Sequence, residues 1–252
     1  MASYSEELEN VANFMTYNGN HLFHYTSFAS ALKIISSQRL LFGDFKNMND
    51  ISESRREVFD DMAIAELNKY KSISFTEDKT GKRGFEIDSL WGYYAEKGKG
   101  VCLVFDKSKL ISQFKGKTIF QRYGRIKYIK NFTNALFFED GNISVDKQIK
   151  RKCKDIFFTK STDWHMENEY RFLIRSEQNN DDYLEYKDAL IAVIICMPLA
   201  KSIIETCEYK TLKRVADVPI LHYHTSLGNK TLTVIGGDVL WPLFGVDQFL
   251  DA

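Results

Sequence analysis

Apolar residues along the 252-residue chain recur at two different spacings, and the spacing changes from one segment to the next. Helical spacing brings Leu8, Val11, Ala12 and Met15 onto one stripe, which predicts an amphipathic helix over 4–18. It recurs over Phe28 to Ser37, where Leu32, Ile34 and Ile35 face inward and Thr26 or Ser27 serves as the cap. Residues 51–69 follow the same rule, and so does the basic stretch 144–158. A short helix carries Leu90, Trp91, Tyr93 and Tyr94 behind Asp88 or Ser89, and Gly98 and Gly100 end it. Pro198 opens a further helix to about Val215.

Between these lie short apolar or alternating runs that read as strands: 22–25, 40–42, Lys71 to Thr76, Gly100 to Phe105 and Leu190 to Met197. Residues 118–129 are strand-prone. Ile220 to His224 and Thr231 to Ile235 are closing strands around a Gly228-Asn229 turn. The stretch from Trp164 to Ile174 reads as a strand in which Glu167, Glu169 and Arg171 share one face. Strands and helices intermingle with no internal repeat, so the pattern predicts a single α+β domain over 1–252.

Composition changes this picture little. Apolar and aromatic content is that of a globular chain, with 19 Phe and 13 Tyr. Cys102, Cys153, Cys196 and Cys207 are widely spread, with no C-x-x-C. That argues against a disulfide framework or a zinc site and for a reducing compartment. No run of about 18 apolar residues appears, so no membrane partner is expected and the predicted location is cytoplasmic.

Charge is more informative. The net charge is zero, yet residues 107–130 carry Lys107, Lys109, Lys115, Lys117, Arg122, Arg125, Lys127 and Lys130 without one acid. Lys147, Lys150, Arg151, Lys152 and Lys154 follow. Such a segment either presents a positive face to the phosphates of a nucleotide or nucleic acid, or forms a solvated face matched by the acidic N-terminal part.

Candidate chemistry starts from the carboxylates. Two glutamates and an arginine entering a strand are costly to bury unless they pair or work. The plain outcome is an Arg171 ion pair on a solvent-facing strand, and the sharper one is a carboxylate held at the wall of a cleft. No P-loop, G-x-G-x-x-G, H-E-x-x-H or G-x-S-x-G motif is present. His222 and His224 would share a strand face, but no third ligand follows at metal spacing, so no metal is expected. His24 closes a short strand just before a helix, where a histidine can hydrogen-bond into a cleft.

Several short motifs then occur in a fixed order: His24-Tyr25-Thr26, Asn49-Asp50 with Glu53, Ile73-Ser74-Phe75-Thr76, Ser89 through Ala95, Lys99-Gly100-Val101, and Trp164 through Arg171. Over 20–240 the series resembles an uncharacterised family of bacterial and phage proteins with His-Tyr-Thr and Trp-x-x-Glu-x-Glu-x-Arg hallmarks. Over 20–175 it resembles the core of the ADP-ribosyltransferase superfamily, in the diphtheria-toxin and poly(ADP-ribose)-polymerase branch. That resemblance implies a mixed or antiparallel split sheet with flanking helices, followed here by a β-α-β-β extension over 186–252.

It also implies roles. NAD would be the substrate, with no metal. Contacts to it would come from His24, Tyr25, Thr26, Ser74, Ser89, Tyr93 and Tyr94: His24 on the adenosine-side ribose, Ser89 on the carboxamide, Tyr94 or Tyr93 stacked on nicotinamide. Glu169 would hydrogen-bond the 2′-hydroxyl of the nicotinamide ribose and support the oxocarbenium-like state, while Glu167 would orient the acceptor. A carboxylate suits a developing cation, and an aromatic face suits a pyridinium.

The chain departs from the branch at Tyr25, where a glycine is usual, and at Ser74, where a tyrosine is usual. The expected function is ADP-ribosyl transfer to a macromolecular acceptor, nucleic acid or protein, in bacterial or phage conflict, as a toxin or antiviral defence effector. The alternatives are a non-catalytic nucleotide or nucleic-acid binding module on the same fold and an NAD hydrolase. The basic 107–154 stretch, interleaved with aromatics, is the candidate nucleic-acid contact.

Overall fold

A computed structural model describes residues 19–50, 53, 61–116, 118, 120–130, 143–176, 181–196, 206–226, 229–236 and 239–245. In chain order its elements are β1 (His21–Thr26), α1 (Phe28–Ser37), β2 (Arg39–Leu41), β3 (Gly43–Asp44), α2 (Asp61–Leu67), β4 (Tyr70–Glu77), α3 (Asp88–Tyr94), β5 (Val101–Asp106), α4 (Lys107–Phe114), β6 (Gln121–Arg125), β7 (Lys127–Ile129), α5 (Val145–Arg151), α6 (Cys153–Phe157), β8 (Thr159–Ser161), β9 (Glu169–Arg175), β10 (Tyr183–Glu185), β11 (Leu190–Ile195), α7 (Cys207–Val215), β12 (Ile220–Ser226), β13 (Asn229–Gly236) and β14 (Val239–Gly245). The fold is α+β with mixed strand pairing, as the two periods along the chain predict. It packs as two compact units, one from 1–39, 76–113 and 185–252, the other from 40–75 and 114–184.

In the first unit β5 is the central strand. β1 pairs with it antiparallel from His21↔Asp106 to Thr26↔Val101, and β11 flanks its other side antiparallel. β12 lies parallel to β11, a pairing that needs a long crossover, and α7 lies in it. β13 and β14 complete a meander. All five core residues of β5 before Asp106 are buried, which is why its sequence is continuously apolar rather than alternating. The core beneath gathers Phe23, Tyr25, Phe85, Trp91, Val104, Ile194 and Tyr223.

In the second unit β9 lies between β4 and β6, and β3 pairs with β4. β7 and β8 form a separate parallel pair, joined through α5 and α6. Its core is aromatic: Phe45, Tyr70, Phe120, Phe157 and Phe158 pack with Leu67, Ile149 and Leu173. Tyr70 stacks on Phe157 at 4.6 Å and meets the edge of Phe120 at 5.6 Å.

Local chemistry sets some of the boundaries. The Ser27 side chain accepts from the Ser30 N–H and caps α1, and Thr206 does the same for α7 through Tyr209. Gly100 approaches backbone so closely that a Cβ there would lie 2.4 Å from the Thr26 carbonyl oxygen.

Some expectations are modified. The single helix expected over 144–158 is two, broken at Lys152 (φ −89°, ψ 12°). β3, α4, β8, β10 and β14 were not anticipated. The helix expected over 4–18, most of 51–60 and the opening of the helix after Pro198 lie outside the described residues, as does Gly228 of the expected hairpin turn.

Candidate functional site

The strand expected from Trp164 to Ile174 begins only at Glu169. Thr162–Glu167 is a 3₁₀ turn, entered through Ser161, whose hydroxyl accepts from the Asp163 N–H. Asn168 leaves the turn in the left-handed region (φ 43°, ψ 51°), a conformation in which asparagine is among the more tolerant residues. The turn chemistry of Ser161, Thr162 and Asp163 outweighs the alternation that made this stretch look extended. Glu167 and Glu169 are therefore not strand neighbours on one face. They still meet, because both reach the same ammonium, that of Lys160 on β8.

Among the described residues of the second unit, two cations are buried, Lys160 and Arg171. Lys160 Nζ lies 2.7 Å from Glu169 Oε2, 2.9 Å from Glu167 Oε2 and 3.3 Å from Glu53 Oε2. Arg171 is fully buried. Its Nε and Nη2 donate to the two oxygens of Glu169 at 2.7 and 3.0 Å. Its Nη1 and Nη2 grip Glu53 in the same two-pronged way, and Nη1 also donates to the Phe157 carbonyl at 2.7 Å. A guanidinium has five N–H donors, and here every one is used. Such bidentate, charge-assisted bonds make burial of these ions sustainable.

Glu169 sits at the centre and is itself 97 % shielded from solvent, at 3 % relative exposure. Besides its bonds to Arg171 and Lys160, Oε1 accepts from the half-buried Ser74 hydroxyl at 2.6 Å. The Glu169 N–H donates to the Tyr128 hydroxyl at 2.9 Å, which fixes the start of β9. Burial alone would raise the Glu169 carboxyl, but Arg171 and Lys160 overcome it and hold the group at about 2. Burial works against the charge on Lys160 as well, and Glu169 and Glu53 reverse that, so the ammonium is held more firmly than an ordinary lysine. Glu169 and Lys160 thus both keep their charge across the neutral range.

The structure brings Ser74, Glu167 and Glu169 together in the second unit. Two members of the cluster had no predicted role. Glu53 stood in the sequence only as part of the Asn-Asp-x-x-Glu motif, and Lys160 carried no signal beyond one charge beside Phe157-Phe158.

The other predicted residues lie in the first unit. His24 and Thr26 are half-buried on β1. Tyr25 is buried, its hydroxyl donating to the Gly84 carbonyl at 2.7 Å and its ring edge-on to Trp91. Ser89 and Tyr94 are half-buried on α3, and Tyr93 is 68 % exposed. Trp91 is core: its indole donates to the Phe85 carbonyl and stacks on Tyr223. This unit has a buried charged group of its own, in which Asp78 Oδ1 accepts from Arg83 Nε and the Gly84 N–H, with His21 3.6 Å from Oδ2.

Among the described residues no cluster of His, Cys, Asp and Glu has the geometry of a metal site, and the four cysteines are free. No helix among them is long and apolar enough to cross a membrane. A family model described as "Protein of unknown function (DUF2971)" matches residues 90–172. That span runs from α3 into β9 and includes Lys160, Glu167, Glu169 and Arg171. No curated protein and no solved structure matches the chain.

Proposed function

We propose that the protein transfers ADP-ribose from NAD to a macromolecular acceptor, with Glu169 as the carboxylate that meets the nicotinamide ribose. The observation that carries this reading is the Ser74 hydroxyl on Glu169 Oε1. Glu169 is a carboxylate ionised at neutral pH that already accepts a bond from an aliphatic hydroxyl, the interaction a ribose 2′-hydroxyl would make. Arg171 and Lys160 are anchored through charge, so Ser74 is the neighbour whose displacement uncouples no ion pair.

In the proposed reaction the bond between nicotinamide nitrogen and ribose C1′ breaks, and its electron pair leaves with nicotinamide. The positive charge that grows on the ribose is stabilised by Glu169. A lone pair of the acceptor then forms the new bond to C1′ and the acceptor gives up its proton. Glu167 is the group proposed to orient that acceptor.

One observation favours a second reading, a binding module that has kept the frame without the reaction. All four bonds accepted by Glu169 come from its own chain, from Ser74, Arg171 and Lys160. The two readings separate in one assay. Incubation with NAD and pools of protein or nucleic acid should release nicotinamide and label the acceptor, and Glu169→Gln should abolish release in protein whose circular dichroism is native. Ser74→Ala, which leaves every ion pair in place, should retain the fold and change KM for NAD more than kcat. Absence of both nicotinamide release and any heat on NAD titration leaves the binding module. Free ADP-ribose without labelled acceptor would make the protein an NAD hydrolase.

A further inference from the structure

On the ADP-ribosyl reading of the Glu169 site, on which this inference rests, we propose that Tyr128 determines its specificity: the Tyr128 hydroxyl donates to the 2′-oxygen of the nicotinamide ribose. Four side chains bond to Glu169, and their donors are not equally committed. Arg171 uses all five N–H groups, on Glu169, Glu53 and the Phe157 carbonyl. The three protons of the Lys160 ammonium face three carboxylates, Glu53, Glu167 and Glu169. The single hydroxyl proton of Ser74 goes to Glu169 Oε1. Tyr128 is the exception. Its oxygen accepts from the Glu169 N–H at 2.9 Å, and among the described residues no acceptor takes its own proton.

The fold sets this hydroxyl beside the carboxylates. β7 and β8 pair in parallel with Tyr128 in register with Lys160, so both side chains leave the same face of the ladder. The half-buried Tyr128 ring packs against the aromatic core of the second unit. Burial raises the phenol above its ordinary range, and the charges of Glu169 and Glu167 add to the rise. Tyr128 is therefore a neutral donor at neutral pH, next to two carboxylates.

Charge narrows what that proton can meet. Glu167 and Glu169 repel a phosphate or carboxylate arriving here, and Lys160 and Arg171 have no proton left to offer it. A neutral oxygen fits. A carbonyl oxygen would accept from Tyr128 but has nothing to donate to Glu169. A ribose hydroxyl does both, accepting from Tyr128 and giving its own proton to Glu169 Oε1 in place of Ser74. Both oxygens of Glu169 already accept two bonds each, so an arriving hydroxyl must replace one. Ribose for Ser74 is otherwise an exchange of one hydroxyl for another. The Tyr128 proton is the bond by which the substrate exceeds the serine it displaces.

The test compares kcat/KM for nicotinamide release from NAD and from its analogue with a 2′-deoxy nicotinamide ribose. Each value is divided by the uncatalysed hydrolysis rate of the same compound. The wild type should prefer the ribose by at least about 100-fold, since the deoxy sugar leaves both Tyr128 and Glu169 unmatched. Tyr128→Phe keeps the ring and removes the donor, and in protein of native circular dichroism that preference should fall by about tenfold. A hydroxyl that only pins the start of β9 through the Glu169 N–H would slow both compounds alike. An unchanged preference in Tyr128→Phe therefore overturns the proposal and leaves the ADP-ribosyl reading standing. The wild-type preference needs no variant, and a value below about tenfold also overturns the proposal alone. A wild type that releases no nicotinamide from NAD overturns both.

Discussion

Arg171 is fully buried, and all five of its donors are engaged, four of them with Glu53 and Glu169. Removing a buried partner of this kind leaves uncompensated charge. Arg171→Met should therefore lower the stability of the protein by about 3 to 5 kcal/mol, read as a fall in the urea midpoint with an unchanged slope. Arg171→Lys should recover only part of the loss, since a single ammonium cannot make two bidentate grips. The same cluster sets an acid limit. Glu169 is held at about 2, below the ordinary 4.5. Its contribution is fully present above the ordinary value and is lost as pH falls from there towards about 2. Denaturation midpoints should drop between pH 5 and pH 3, and Glu169→Gln should flatten that drop. A wild-type protein equally stable at both pH values would contradict the assignment.

At the scale of elements, apolar spacing located the helices at 28–37 and 88–94 and the strands at 101–106 and 190–195 to within a few residues, because each buries a regular stripe or a continuous run. Spacing failed at Trp164–Asn168. There a local cap and one left-handed residue determine the path, and E-x-E-x-R mimics a strand one turn too early. Glu169 and Glu167 were legible as candidates from that motif. Lys160 was not, since a buried ion partner 9 residues away leaves no periodic trace.

Gly100 is a further case in which sequence gave position without reason. Its motif marked it, while the cause is the Thr26 carbonyl and the Ala95 backbone pressed against it. Gly100→Ala should cost about 1 to 3 kcal/mol, because backbone atoms cannot swing aside as a side chain would. A melting temperature within a degree of wild type would contradict the close approach. Asn168→Gly should be tolerated, whereas Asn168→Val should be destabilising, as a β-branched residue resists φ 43°.

The second unit holds a buried set of charges around Glu169, together with exposed basic side chains on α5, α6 and β6. The first unit carries the aromatic and hydroxyl residues that the resemblance associates with NAD. The most direct test of the central claim is nicotinamide release from NAD, followed over time with wild-type protein and with Glu169→Gln whose native circular dichroism has been verified. The account predicts steady release by the wild type and none above background by the variant. Equal release by both, or none by either, would contradict it.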